Sequence, residues 1–203
     1  MSSTSQRQQK LKAWLKSHGL NLADNRKLRT SPVTQGEAAR ELQSRAPADG
    51  FKIPYFDLNR KPTGFVRYRF DDHASFTKPI RYRQAADSGT HVYFAPLLPW
   101  KKIAADPKIQ ILVVEGELKA ASACAHGFAC VGLGGVTLWH ERGQRELHPD
   151  LAPFEWRERP VAIVFDSDAA TNKQVRVQES ALTLAFAGVG ARVKIVRLPE
   201  EAS

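Results

Sequence analysis

The sequence predicts an α/β fold, a parallel sheet flanked by helices and preceded by a small basic α+β subdomain rich in antiparallel strands. Three observations predict it. From Ile109 onward, short apolar runs alternate with helix-period segments, the pattern of repeated βαβ units. Between Phe51 and Trp100, short aromatic segments are punctuated by turn-forming residues, as in antiparallel hairpins. Charge is polarised along the chain: residues 1–110 carry 20 Lys+Arg against 9 Asp+Glu, a net of +11, and residues 111–203 carry 10 against 12, a net of −2.

Taken in order, the first ten residues are polar and read as a flexible tail. Leu11, Trp14, Leu15 and Leu20 space a short amphipathic helix ended by Gly19, because glycine adopts the left-handed closing conformation cheaply. Thr34 followed by Glu37 has the spacing of a capping box and predicts a helix over 35–45. Strands are expected at 51–56, 64–70, 80–83 and 91–94, with turns at Asn59–Pro62 and Asp87–Gly89. In the second part, strands are expected at 109–114, 129–133, 161–165 and 193–198. Helices are expected at 118–126, ended by Gly127, and at 172–187, ended by Gly188. The stretch between Gly134-Gly135 and 161, with Trp139, Pro149, Pro153 and Trp156, reads as loop-rich. The expected division is 1–50 for the tail and helices, 51–108 for the basic antiparallel subdomain and 109–203 for the parallel-sheet domain.

Composition narrows the function classes. A chain of 203 residues with 42% hydrophobic content is long enough for one good core or a core plus a satellite. The apolar runs are strand-length, too short to span a bilayer, and the polar start is not a signal peptide, so a cytoplasmic chain with no membrane partner is expected. Cys124 and Cys130 are the only cysteines. Two thiols cannot build a disulfide framework or a four-thiolate zinc site, and their apolar surroundings predict burial rather than metal binding. A basic half suits a polyanion, although an Arg-rich soluble surface has the same composition.

The residues that carry chemistry sit where two predicted parallel strands end. The first reads Ile-Leu-Val-Val and then Glu115-Gly116-Glu117, the third Val-Ala-Ile-Val-Phe and then Asp166-Ser167-Asp168. Ligands of such sheets bind at the carboxyl ends of the strands, and carboxylates that leave positions open suit Mg2+, or Mn2+, rather than zinc. Asp-x-Asp alone is also good helix-capping chemistry; its pairing with an acid at another strand end makes the signal more specific. On the basic segment, period two puts Arg67 with Arg69 on one face and Arg81 with Arg83 on one face, with Arg60, Lys61 and Lys78 nearby. Arginine interleaved with tyrosine can hold phosphates and stack on bases, and a solvated sheet face would show the same alternation.

The order Val-Val-Glu115-Gly116, Gly132-Leu-Gly134-Gly135 and Phe-Asp166-Ser-Asp168 resembles the Toprim domain, shared by bacterial-type primases, topoisomerases and some nucleases. More closely, Val113-Val-Glu-Gly-Glu-Leu-Lys-Ala and Phe165-Asp-Ser-Asp-Ala-Ala resemble the Toprim-like domain of phage and plasmid primase-helicase proteins. Ile53-Pro-Tyr-Phe-Asp, Gly64-Phe-Val-Arg-Tyr-Arg and Val92-Tyr-Phe-Ala-Pro-Leu-Leu-Pro-Trp are similar to the segment before that fold in replicative primase cores, so the resemblance covers about 51–198. It implies a Toprim-like catalytic domain over 109–203. In it Glu115 organises metal or transfers a proton, Asp166 and Asp168 ligate Mg2+, and Gly132, Gly134 and Gly135 allow close backbone approach. Arg67, Arg69, Lys78, Arg81 and Arg83 would face nucleic acid or nucleotide. Lys119 stands where replicative primases carry Asp and could reach a phosphate, while Glu117, with the weaker claim, reads as a surface residue at a helix start.

The resemblance implies a primase-type nucleotidyltransferase core, using a single-stranded DNA template and nucleoside triphosphates in the replication of a phage, plasmid or other mobile element. A fused or separate helicase is an expected partner. A Mg2+-dependent nuclease with the same site and a non-catalytic DNA- or nucleotide-binding module are the alternatives. Primases of this kind carry a further acidic motif after the last strand; the sequence ends at Leu198-Pro-Glu-Glu-Ala-Ser, so a fragment or an incomplete site is expected. The sequence contains neither a cysteine-rich zinc module nor a Gly-x-x-x-x-Gly-Lys phosphate loop.

Overall fold

The computed structural model describes residues 3–70, 81–165 and 172–197. The chain divides into two compact units, one of residues 1–57 and 61–89, the other of 58–60 and 90–203. That division departs from the boundaries at 50 and 108, because the N-terminal helices share a core with the antiparallel strands and the segment from 90 joins the second sheet.

In the first unit, α1 (Ser3–Ser17) runs through the expected tail. Nothing in the polar stretch breaks a helix, and burial of Leu11, Trp14 and Leu15 anchors its second half. A further helix, α2 (Leu22–Leu28), starts at Asn21, whose side chain caps it in a reciprocal box with Asp24. β1 (Ser31–Val33) follows, then α3 (Gln35–Leu42), which has the predicted Thr34–Glu37 capping box and stops at Gln43 in the left-handed conformation. β2 (Gly50–Phe56), β3 (Pro62–Phe70) and β4 (Tyr82–Arg83) complete an antiparallel sheet of order β1-β2-β3-β4. On one face Trp14 of α1 stacks on Phe51, with ring centroids 4.4 Å apart. On the other, Ala38 and Leu42 of α3 pack with Val33, Ala46, Tyr68 and Phe70.

The second unit holds a five-stranded sheet of order β5-β7-β6-β8-β9. Its elements are β5 (Val92–Phe94), α4 (Trp100–Ala105), β6 (Ile111–Glu115), α5 (Glu117–Ala125), β7 (Cys130–Leu133), a 3-10 turn (Pro149–Leu151), β8 (Pro160–Val164), α6 (Lys173–Gly188) and β9 (Arg192–Ile195). Strands β7, β6, β8 and β9 are parallel, and β5 joins β7 antiparallel. The 91–94 segment therefore leaves the basic subdomain, where hairpin logic had put it. Val92, Tyr93 and Phe94 are all buried, which suits a strand covered on both faces rather than a half-solvated one. The chain steps outward from β6 to β7 through α5 and in the opposite direction from β8 to β9 through α6, so right-handed crossovers put the two helices on opposite faces.

Two interior features brace this unit. Gly132 in β7 lies under α5: a Cβ there would stand 2.9 Å from the Gly116 carbonyl and 3.1 Å from the Ala120 Cβ. Arg159, fully buried, donates to the carbonyls of Glu155, Ile109, Ile103 and Ala104 at 2.7–3.0 Å. Its guanidinium lies 5.7 Å from the Phe154 ring and 5.6 Å from the Trp156 ring. Cys124 and Cys130 are free and buried as expected; burial pushes the Cys124 thiol up to about 12. No helix among the described residues is long and apolar enough to cross a membrane.

Candidate functional site

β6 and β8 are immediate neighbours, in register from Ile111↔Val161 to Val114↔Val164. The sheet's direction of travel reverses between them, and a crevice at the carboxyl ends of such strands is where open α/β sheets take ligands. Glu115 is the last residue of β6 and is half-buried. One residue past the pair Val114↔Val164, the neighbouring strand reaches Phe165, about 4.8 Å across by strand spacing. The sequence continues from Phe165 into Asp166-Ser167-Asp168; Asp166 and Asp168 lie outside the described residues.

Local geometry fixes the β6 end. Gly116 takes φ +98°, a conformation costly for any residue with a Cβ, and its N–H donates to the Leu133 carbonyl at 2.8 Å. That bond ties the end of β6 to the end of β7 and turns the chain at once into α5, whose positive N-terminal end opens on the same rim. Lys119 is exposed on the first turn of α5. Glu117, expected on the surface, is instead only 1% exposed. The first turn of α5 faces the sheet, and burial, with the nearby Glu117 carboxylate adding to it, raises the Tyr93 phenol well above its ordinary range. Gly134 and Gly135 follow β7 directly onto the rim; Gly132 has tight backbone and side-chain neighbours, whereas a Cβ on Gly135 would meet only the Leu138 side chain, at 3.8 Å.

The rim also holds residues the sequence reading missed. β5 runs antiparallel to β7, so its start, Val92, pairs with Leu133 at the carboxyl end of the parallel strands. The Asp150 carboxylate accepts the Val92 N–H at 3.0 Å and lies 3.2 Å from Nδ1 of His91. Nδ1 of the buried His148 accepts the Asp150 N–H at 3.1 Å. These residues come from segments 59 positions apart, with no motif to join them. Among the described residues, no group of three His, Cys, Asp or Glu could hold a metal ion, so of the expected ligands only Glu115 has a described position.

In the first unit, cross-strand register separates the arginines. Arg69 pairs with Phe51 and with Tyr82, and Arg67 with Ile53, which puts both on the α1 face. There Arg67 is 8% exposed, 5.0 Å over the Tyr82 ring, and Arg69 lies 4.9 Å over the Trp14 ring. Arg83 pairs with Tyr68 and stands on the α3 face, where its guanidinium donates to the Arg45 carbonyl. Arg81 is exposed, and Lys78 lies outside the described residues. The arginines therefore do not form one open basic face.

Solved structures with the same fold are primase domains. The chain is similar to the zinc-binding and RNA polymerase domains of Aquifex aeolicus primase, with TM-score 0.63 and 17% identity over 94% of this chain and 50% of that one. It is similar to the RNA polymerase domain of Mycobacterium tuberculosis primase DnaG, with TM-score 0.62 and 15% identity over 100% of this chain and 71% of that one. The same domain in complex with double-stranded DNA gives TM-score 0.63 and 16% identity over 95% of this chain and 66% of that one. At this identity the likeness is one of fold, and the chain spans half the length of the solved Aquifex chain. No curated protein matches the sequence. The fold is thus of the primase RNA polymerase domain type. The chain itself belongs to the DUF3854 family, a domain of unknown function whose model matches residues 99–203, or 105 of 203 residues.

Proposed function

We propose that this chain is a Toprim-type primase core that synthesises short primers on single-stranded DNA with a Mg2+-dependent site at Glu115, Asp166 and Asp168. One observation carries the reading: β6 and β8, the two strands that lead into these acids, are adjacent and parallel at the point where the sheet changes direction. The likeness of the fold to primase RNA polymerase domains supports it.

The donor set fits a hard divalent cation, since it is all carboxylate and the described member, Glu115, is half-buried at a strand end. Bound there, Mg2+ or Mn2+ would neutralise charge on triphosphate oxygens. The side chains have distinct tasks. Glu115 takes the proton of the attacking 3′ hydroxyl or orients the acid pair. Asp166 and Asp168 bind the cation, and Lys119, on the exposed first turn of α5, meets a phosphate. Arg81 and Arg83 hold template phosphates, and nucleoside triphosphates are the substrates. A helicase partner and a phage, plasmid or other mobile-element setting belong to the same proposal.

Lys119, at the place where the resembling primases carry Asp, favours a second reading, a DNA- or nucleotide-binding module without turnover. The test is primer synthesis on single-stranded DNA with labelled nucleoside triphosphates and Mg2+, comparing wild type with Asp166→Ala. Short products that vanish in the variant are expected. Absence of product from the wild type, with salt-sensitive DNA binding intact, would replace the catalytic reading by the binding one.

A further inference from the structure

Strand register draws one row of residues along the carboxyl-end rim of the second unit. Glu115 pairs with Leu133 on one side. On the other, one residue past Val114↔Val164 the row reaches Phe165, and two past Ile163↔Ile195 it reaches Arg197. The Val196 N–H, donating to the Ile163 carbonyl at 2.9 Å, carries the ladder past the end of β9 toward that point. Residues in one row share a face of the sheet, so Arg197 stands on the same side as Glu115, two strand spacings or about 10 Å away. Between them lies the strand end that continues into Asp166.

Glu179 of α6 holds Arg197 in place. Nη1 and Nη2 of the arginine donate to Oε1 and Oε2 of the carboxylate. The Glu179 side chain is 2% exposed and that of Arg197 is 41% exposed. A carboxylate so deeply buried is costly without a partner, and a two-bond pair satisfies it while fixing the plane of the guanidinium. α6 runs back from the rim, starting after Asn172, and helical side chains tilt toward the helix N-terminus. The Glu179 carboxylate therefore draws the guanidinium toward the rim end of the helix. A guanidinium has five N–H donors. Glu179 takes two, and the remaining three, Nε–H among them, have no partner among the described residues.

We propose that Arg197 binds a phosphate group at this rim, with Glu179 as the positioning residue that orients its guanidinium. Arg197 in this role rests on the reading of the β6–β8 rim as a phosphoryl-transfer site, and it supplies that site with a donor fork that no sequence motif announces. A pair serving only to tie α6 to β9 would bury both partners; here the acid is buried and the outer half of the arginine is open. The pair is neutral as a whole, so its contribution is directed hydrogen bonding to phosphate oxygens rather than long-range attraction. Arginine suits the task because its planar fork can meet a carboxylate along one edge and a phosphate along another, which a lysine ammonium cannot reproduce. The phosphate belongs either to a nucleoside triphosphate or to the backbone of a nucleic-acid strand.

The test uses the full chain with Mg2+. One arm is calorimetric titration of ATP against adenosine without template; the other is fluorescence anisotropy of a labelled single-stranded 12-mer over a salt series. Arg197→Ala alone would strand a buried carboxylate and can unfold the chain. The decisive variant is therefore Glu179→Gln combined with Arg197→Met, which removes both charges at similar volume and keeps the thermal midpoint close to that of the wild type. It is expected to lower ATP affinity about tenfold with adenosine affinity unchanged, or to weaken 12-mer binding a few-fold with a salt slope smaller by about one. The first outcome assigns the phosphate to the triphosphate, the second to the strand. Glu179→Gln alone, which leaves the arginine charged but unpinned, lowers the same affinity about threefold, and Arg197→Lys fails to restore it. A folded double variant with wild-type affinity for both probes overturns the inference, as does an equal loss of ATP and adenosine affinity. A selective loss in a protein that makes no primers keeps Arg197 as a phosphate contact while removing the priming reading; primer synthesis untouched by the double variant does the reverse.

Discussion

In the four-stranded sheet, Arg67 and Arg83 each belong to an Arg-x-Arg pair, yet they stand on opposite faces, one buried beside Tyr82 and the other bonded to the Arg45 carbonyl. In the five-stranded sheet, the ends of β6 and β8 stand together on one rim although Glu115 and Val164 are 49 positions apart in the chain. The difference lies in what each topology leaves undetermined. Period two fixes the face within one strand, but the face shared between antiparallel strands depends on register, which a shift of one residue inverts. Parallel strands joined by crossovers align their carboxyl ends automatically, so residues that end them share a rim whatever the register.

Substitutions at the two sheets sharpen this contrast. Glu115→Gln should lower primer synthesis about 10²–10⁴-fold, the usual span for a proton-transfer group, with an unchanged thermal midpoint because the residue ends a strand rather than filling a core. Comparable losses of activity and of midpoint would show that the rim acid serves packing. Gly132→Val forces a side chain against the Gly116 carbonyl and Ala120 and should cost about 1–3 kcal/mol in urea unfolding, the range for overpacking. Arg83→Ala should weaken single-stranded DNA binding a few-fold and reduce the salt slope by about one. Arg67→Ala should lower stability more than binding, since its guanidinium is packed over Tyr82. Equal effects of the two on the salt slope would break the two-face picture. The smallest effect concerns acid. Glu41 has a folded pKa held below 4.5 by Lys52 and Tyr68. Its contribution is therefore present above pH 4.5 and fades as pH falls through the lower folded value. Half-exposure keeps it to a few tenths of a kcal/mol, and Glu41→Gln should flatten the acid limb of stability by that amount.

The elements with strong local signals were legible. The Thr34–Glu37 box, the helix over 118–126 closed by Gly127 and the runs that became β6, β7 and β8 stand within a few residues of expectation. The tail became α1 because helix length is set by the absence of a breaker as much as by an apolar stripe. α2 and β1 are short, and their signals, Asn21–Asp24 and Ser31–Val33, are weak until packing is known. The placement of β5 was hidden for another reason: Val92-Tyr-Phe alternates no better than its neighbours, and only burial on both faces tells which sheet it joins. Of the site, the shared rim of the strand ends followed from the βαβ reading but their adjacency came only from the family resemblance, since strand order has no local signal; Glu117 and the His91–Asp150–His148 contacts likewise rest on tertiary geometry.

The Arg159 clamp bears on how fast the second unit comes apart. One guanidinium closes contacts with carbonyls 50–56 residues earlier in the chain, and contacts that distant are slow to form. Interactions absent from the folding transition state set the unfolding rate rather than the folding rate. The clamp thus acts as a brake on dissolution: Arg159→Lys, which cannot reach all four acceptors at once, should speed unfolding severalfold and leave the refolding limb of a chevron nearly where it was.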